Sequence, residues 1–78
     1  MSRTVLISNL SYNVNEDHLH EIFSTFGKVT DLTLFHDKFG HSEKRAVVTY
    51  VNSQFAATAV EKMNGGVIDG SVVSVSLE

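Results

Sequence analysis

Four histidines, nine carboxylates and a scatter of hydroxyls are what this 78-residue chain offers for acid–base or nucleophilic chemistry, because it contains no cysteine at all. Without a thiol, disulfide staples and thiolate metal sites are excluded, and a nucleophile would have to be a hydroxyl activated by a histidine and an acid. No recognisable Ser-His-acid arrangement is present, nor any glycine loop that could cradle a phosphate. His18 and His20 stand two apart in a helical stretch and diverge by about 200°, so they do not readily share a metal ion. The expectation is a binding module that is no enzyme and needs no cofactor or metal.

Charge sorts the candidates for binding. Six Lys and Arg against nine Asp and Glu leave the chain at −3, which argues against unspecific attraction to a polyanion. The balance is uneven along the chain. His36 to Arg45 holds Lys38, Lys44 and Arg45 against Asp37 and Glu43, a local +1 with two histidines, while the remainder stands at −4. A nucleic acid would approach through that segment, where Arg45 can stack its guanidinium plane on a base or meet a phosphate. Glu16, Asp17 and Glu21 have the opposite preference: a solvated acidic face, or a dock for a basic partner segment.

The apolar pattern supplies the scaffold for these side chains. Val5, Leu6 and Ile7 form a short β-branched-rich run that stops at the turn-prone stretch from Asn9 to Asn15, a first strand. Asn15 caps a helix whose first turn carries Glu16 and Asp17, the sign the helix dipole favours there. Leu19, Ile22, Phe23 and Phe26 recur at helical spacing, and Gly27 ends the helix. From Val29 the period becomes two, with Leu32 and Leu34 on one face and Asp31, Thr33 and Phe35 on the other. His36 to Lys44 is a polar loop around Gly40. Arg45 to Val51 alternates again, Ala46, Val48 and Tyr50 against Arg45, Val47 and Thr49. Asn52 or Ser53 opens a second helix with Ala56, Ala59, Val60 and Met63 on one face, broken at Asn64, Gly65 and Gly66. Phe55 falls one residue before that stripe, at its rim, where it either caps the core or docks a partner. Val72 to Leu77 is the last strand.

The order β-α-β-β-α-β is that of the ferredoxin-like sandwich, an α+β fold whose four-stranded antiparallel sheet carries two helices on one face. One domain over residues 1–78 is expected. A chain this short buries only about 60% of its unfolded surface, which leaves no room for a second core. The uncovered face of the sheet should present Leu6, Ser8, Thr33, Phe35, Arg45, Val47, Thr49, Ser74 and Ser76. No run approaches the roughly 18 apolar residues of a membrane span, and Met1 to Asn9 lacks the form of a signal peptide. A soluble, intracellular monomer without membrane contact is the expectation.

The motifs on this scaffold resemble those of the RNA recognition motif family. Val5 to Leu10, VLISNL, is similar to the family's hexamer on the first strand, and Glu43 to Tyr50, EKRAVVTY, holds the place of its octamer on the third. Leu19, Phe23 and Phe26-Gly27 resemble the first helix; Met63-Asn64-Gly65 and Asp69-Gly70 resemble the approach to the last strand. The resemblance implies single-stranded RNA lying across the open sheet face, its bases stacked on three aromatic positions. Those positions are Leu6, Arg45 and Val47 here, so none is aromatic, and the octamer's usual basic residue and glycine are Glu43 and Lys44. Each base stack contributes about 1–3 kcal/mol, and micromolar binding is about 8 kcal/mol in all. Weak, sequence-tolerant RNA contact is therefore expected, through Leu6, Ser8, Phe35, Lys38, Lys44, Arg45, Val47 and Thr49.

Two subfamilies share features with the chain. The run Asp37 to Ser42 with Ala46, Val48 and Tyr50 resembles Aly/REF-type messenger RNA export adaptors, whose octamer also lacks aromatics. The stretch Asn13 to Val29, with Asn64-Gly65-Gly66 and Ile68-Asp69-Gly70, resembles splicing-associated serine/arginine-rich proteins of the exon junction machinery. Both imply messenger RNA processing or export, a nuclear location with possible shuttling to the cytoplasm, and protein partners in a messenger ribonucleoprotein. The alternative they imply is an assembly adaptor with little or no RNA binding, docking through Glu16, Asp17, Glu21 and Phe55.

Overall fold

The computed structural model describes residues 1–78. Its elements run β1 (Thr4–Ser8), α1 (Glu16–Phe23), β2 (Val29–His36), β3 (Ser42–Tyr50), α2 (Ser53–Met63), β4 (Val67–Ile68), β5 (Ser71–Val72) and β6 (Ser74–Leu77). Four of the strands form one antiparallel sheet in the order β2-β3-β1-β6, while β4 and β5 pair as a small separate hairpin. This is the ferredoxin-like sandwich, with both helices on one face of the sheet.

Each helix starts where an asparagine can satisfy a free amide. The Asn15 side chain accepts from the His18 N–H at 2.8 Å, and that of Asn52 from the Phe55 N–H at 2.9 Å. The first helix ends earlier than its apolar spacing indicates. After Phe23 a 3-10 turn, Ser24–Phe26, leads to Gly27, whose N–H bonds back to the Ser24 carbonyl at 3.3 Å. The Tyr50 hydroxyl, arriving from β3, donates to the Phe23 carbonyl at 2.8 Å and satisfies it where the α-helix ends. That carbonyl is the one a continuing α-helix would have offered to Gly27.

The expected last strand, Val72 to Leu77, is divided. The Val73 N–H bonds the Gly66 carbonyl at 2.9 Å and the Gly65 N–H bonds the Val73 carbonyl at 2.9 Å. The backbone there pairs with the loop after α2, so Ser71–Val72 turns back on Val67–Ile68 before β6 joins the sheet. A second irregularity lies in β3. Leu34 faces Ala46 and His36 faces Ser42, so Glu43, Lys44 and Arg45 share the span opposite Phe35 alone. Lys44 takes a φ of 65° in this bulge.

All fifteen buried residues are apolar in the main, the lone hydroxyl among them being that of Tyr50. Val5, Ile7, Leu34, Ala46, Val48, Tyr50 and Val75 of the sheet meet Leu19 and Phe23 of α1 and Ala56 and Ala59 of α2. A fully buried Val, Leu or Phe contributes about 1.5–3 kcal/mol, so this single layer carries the fold. The core consumes only the helix-side face of the sheet and leaves the other free.

Candidate nucleic-acid interface

Register builds the open face in rows. Thr33 faces Val47, Val47 faces Leu6, and Leu6 faces Ser76, which sets one residue from each of the four strands side by side. One row along, Asp31 faces Thr49 and Thr49 faces Thr4, whose hydroxyls lie 3.0 Å apart. Toward the other end, Ser8 faces Ser74. Leu6, Ser8 and Arg45 are exposed, and Phe35, Val47 and Thr49 are half-buried.

Five of the eight expected RNA-contacting residues come together. Leu6, Ser8, Phe35, Arg45 and Val47, with Ser76 and Glu78 at the rim, line a shallow depression of about 490 Å3. Within it the Arg45 guanidinium carbon lies 4.8 Å from the centre of the Phe35 ring, and Arg45 Nη2 lies 3.1 Å from Glu43 Oε1. The guanidinium thus covers the one aromatic of the face, held by an ion pair from its own bulge. The depression can take flat apolar groups on Leu6, Val47 and Phe35, with Arg45 supplying a cation and Glu78 a carboxylate at the edge.

The other three stand apart. Thr49 belongs to the neighbouring row, with its hydroxyl engaged by Thr4. Lys38 is at the tip of the β2–β3 hairpin, its Nζ 5.2 Å from the Phe39 ring centre. Lys44, turned by the bulge, holds its Nζ 5.1 Å from the ring centre of Tyr12, in the loop between β1 and α1. Sequence reasoning missed both of these exposed rings. Tyr12 is hidden in a turn-prone stretch and Phe39 in a polar loop, where neither period nor alternation gives a ring any direction.

The hairpin tip is built on Asp37. Its Oδ1 accepts from the Phe39 N–H at 2.8 Å and the His41 N–H at 3.0 Å, and its own N–H bonds the His41 carbonyl at 2.8 Å. The His41 amide, first, holds the Asp37 carboxyl below its ordinary range.

The residues expected to dock proteins do not form one surface. Glu16 and Asp17, with His20 and the Val29–Leu32 edge of β2, line a depression of about 350 Å3 that also contains Asp31. Glu16 Oε2 accepts from the Leu34 N–H at 3.3 Å and so blunts that sheet edge. Glu21 is exposed farther along α1. Phe55, on α2, is half-buried against the core with its ring over Gly27.

Comparison with known proteins places these features. A model of the RNA recognition motif family matches residues 5–74. The chain is 33% identical over 75 residues to the U11/U12 small nuclear ribonucleoprotein 31 kDa protein of Arabidopsis thaliana, covering 95% of this chain and 29% of that protein. It is 34% identical over 77 residues to the RNA-binding protein with serine-rich domain 1 homolog of Schizosaccharomyces pombe, covering 97% and 32%. It therefore spans about a third of the length of either relative. In three dimensions it superposes on the RNA15 RRM with a TM-score of 0.94 at 23% identity, over 99% of this chain and 90% of that one, a likeness of fold. These matches support the family resemblance; the export-adaptor resemblance gains no support from them.

Proposed function

Since the chain belongs to the RNA recognition motif family, an RNA-binding and generally non-enzymatic family, we propose that it binds single-stranded RNA weakly and with little sequence preference on its open sheet face. The observation that carries this reading is the depression where Leu6, Phe35, Arg45 and Val47 meet: a flat, partly apolar floor with a cation and a single ring. Base faces can lie on such a floor, but the three family stacking positions hold no aromatic, which sets the affinity low. Lys38, Lys44 and Thr49 extend the contact beyond the depression.

The setting we propose is messenger RNA processing in the nucleus, within a ribonucleoprotein assembly. The name of the U11/U12 small nuclear ribonucleoprotein relative supports a nuclear ribonucleoprotein setting; splicing is the extension suggested by the resemblance in Asn13 to Val29, and export and shuttling by that in the Asp37 to Ser42 loop. The protein acts as one copy on one strand. A titration with short single-stranded RNA, followed residue by residue in NMR, tests this. Salt-sensitive shifts at Leu6, Phe35, Arg45 and Val47 are expected, and an unmoved sheet face at high RNA concentration would overturn it.

A second reading rests on the depression between α1 and β2, whose three carboxylates, Glu16, Asp17 and Asp31, suit an arginine-rich protein segment. In that reading the domain is an assembly adaptor. Charge reversal of Glu16 and Asp17 would abolish capture of such a segment and leave the RNA titration unchanged.

A further inference from the structure

The loop that follows α2 covers the outer edge of β6. The Asn64 N–H closes the helix on the Val60 carbonyl at 3.0 Å, and the Asn64 side-chain Oδ1 accepts from the Val75 N–H of β6 at 3.0 Å. Gly65 and Gly66 continue the cover: the Gly65 N–H donates to the Val73 carbonyl, and the Gly66 carbonyl accepts from the Val73 N–H, both at 2.9 Å. Because β6 stands last in the sheet order β2-β3-β1-β6, these bonds blunt a strand edge that would otherwise be open.

The same loop holds a reactive pair. In asparagine followed by glycine, the backbone nitrogen of the glycine reaches the side-chain carbonyl of the asparagine with no side chain to obstruct it. The chain contains this dipeptide once, at Asn64-Gly65. Both residues are exposed to water, but each reacting group is engaged in the fold, the Gly65 nitrogen with Val73 and the Asn64 carbonyl with Val75. Ring closure between them requires both bonds to break.

We propose that Asn64-Gly65 is a latent modification site, where release of the loop from β6 permits deamidation of Asn64 and the isoaspartate formed then keeps the loop from closing. In the first step the Gly65 nitrogen bonds Asn64 Cγ and gives up its proton, while the Cγ–Nδ2 bond breaks and the side-chain nitrogen departs as ammonia. Water then opens the cyclic imide at one carbonyl or the other, leaving aspartate or isoaspartate. No oxidant or reductant takes part. Isoaspartate routes the main chain through the side-chain methylene, so Gly65 and Gly66 lose their register with Val73. Aspartate keeps the main chain as it was and still offers an oxygen to the Val75 N–H. The damage reaches the open face, because β6 is the strand that sets Ser76 beside Leu6.

The test incubates the protein at neutral pH, folded and in urea sufficient to unfold it, and follows position 64 by peptide mapping with mass detection. Fragments are chosen that separate it from Asp69-Gly70, which can form the same imide. With two hydrogen bonds to break first, deamidation should be at least about 10-fold slower in the folded protein than in urea. Equal rates would overturn the gating. The isoaspartyl protein, separated chromatographically, and the variant Asn64→Asp are then compared with the parent by amide exchange. Val73 and Val75 should exchange at least about 10-fold faster in the isoaspartyl protein, while Asn64→Asp should stay within about 3-fold of the parent. Unchanged protection in the isoaspartyl protein, or an equal loss in Asn64→Asp, would overturn the proposed effect on β6.

Discussion

The guanidinium carbon of Arg45 sits 4.8 Å from the ring centre of Phe35, with one of its nitrogens 3.1 Å from Glu43. The two residues that could replace the missing stacking aromatics are therefore stacked on each other. An exposed cation–π contact contributes about 0.5–1 kcal/mol and an exposed ion pair about 0–1 kcal/mol. A base stack contributes about 1–3 kcal/mol, so an incoming base can displace the guanidinium or stack on its outer side at little cost. The free protein covers its only sheet-face ring with a group that can also contact phosphate.

Removing the competing carboxylate should release Arg45. Glu43→Gln is expected to raise RNA affinity a few-fold, since it deletes both an ion pair and a negative charge beside the strand. Arg45→Ala should lower affinity and reduce the slope of log affinity against log salt by about 0.7, the value of one phosphate contact on a single strand. Fluorescence anisotropy across a salt series reads both, and an unchanged slope in Arg45→Ala would show that Arg45 touches no phosphate.

Val47 faces Leu6 on one side and Thr33 on the other, in the middle of the four-strand row. A ring placed there should meet the strand wherever it crosses the sheet. Val47→Phe is expected to strengthen binding by about 1–3 kcal/mol while leaving stability nearly unchanged, because the side chain points away from the core. Calorimetry of the variant with oligouridylate checks this; a gain in stability without a gain in affinity would mean that RNA does not cross the centre of the sheet.

The elements that local chemistry determines were legible in the sequence. Asn15 and Asn52 cap the helices as their positions indicate, and the alternation of Ala46, Val48 and Tyr50 against Arg45, Val47 and Thr49 sets the two sheet faces. What was not legible depends on partners distant in sequence. The Phe23 carbonyl at the end of α1 finds its donor in a hydroxyl twenty-seven residues away. The strand after Ser71 divides because Val73 pairs with Gly65 and Gly66. The bulge that sends Lys44 to Tyr12 is a mismatch of register, which neither strand records alone. The candidate site follows the same division: parity placed Leu6, Phe35, Arg45 and Val47 together, while the lysines went where the bulge and hairpin took them.

Gly27 and Phe55 form a fitted pair. A Cβ added at Gly27 would lie 2.2 Å from Cγ and Cδ2 of Phe55, far inside van der Waals contact, and the glycine's φ of 154° also disfavours a side chain. Gly27→Ala should cost about 1–3 kcal/mol, the usual penalty of overpacking. Phe55→Ala should cost less than the about 3–5 kcal/mol of a fully buried ring. The double variant should be more stable than the sum of the two losses indicates, because removing the ring makes room for the methyl. Urea denaturation of all four proteins measures this coupling; strict additivity would mean that the ring moves aside at no cost, and Phe55 would then be free to meet a partner.

Tyr50 links stability to pH. Its hydroxyl is buried, donates to the Phe23 carbonyl, and is pushed above the ordinary tyrosine range by burial. The folded state thus holds this proton more tightly than the unfolded state does. Its contribution is fully present below the unfolded value of about 10 and declines as pH rises above it, by at most about 1.4 kcal/mol per pH unit. Tyr50→Phe keeps the ring in the core but leaves the Phe23 carbonyl without its donor, a loss of about 1–3 kcal/mol at neutral pH. Because the variant has no proton to lose at this position, its stability should fall less steeply than that of the parent above pH of about 10. Denaturant titrations at neutral and alkaline pH give both values. Parallel alkaline slopes in the two proteins would show that the Tyr50 proton does not carry the alkaline loss, and would leave its hydroxyl with a structural role only.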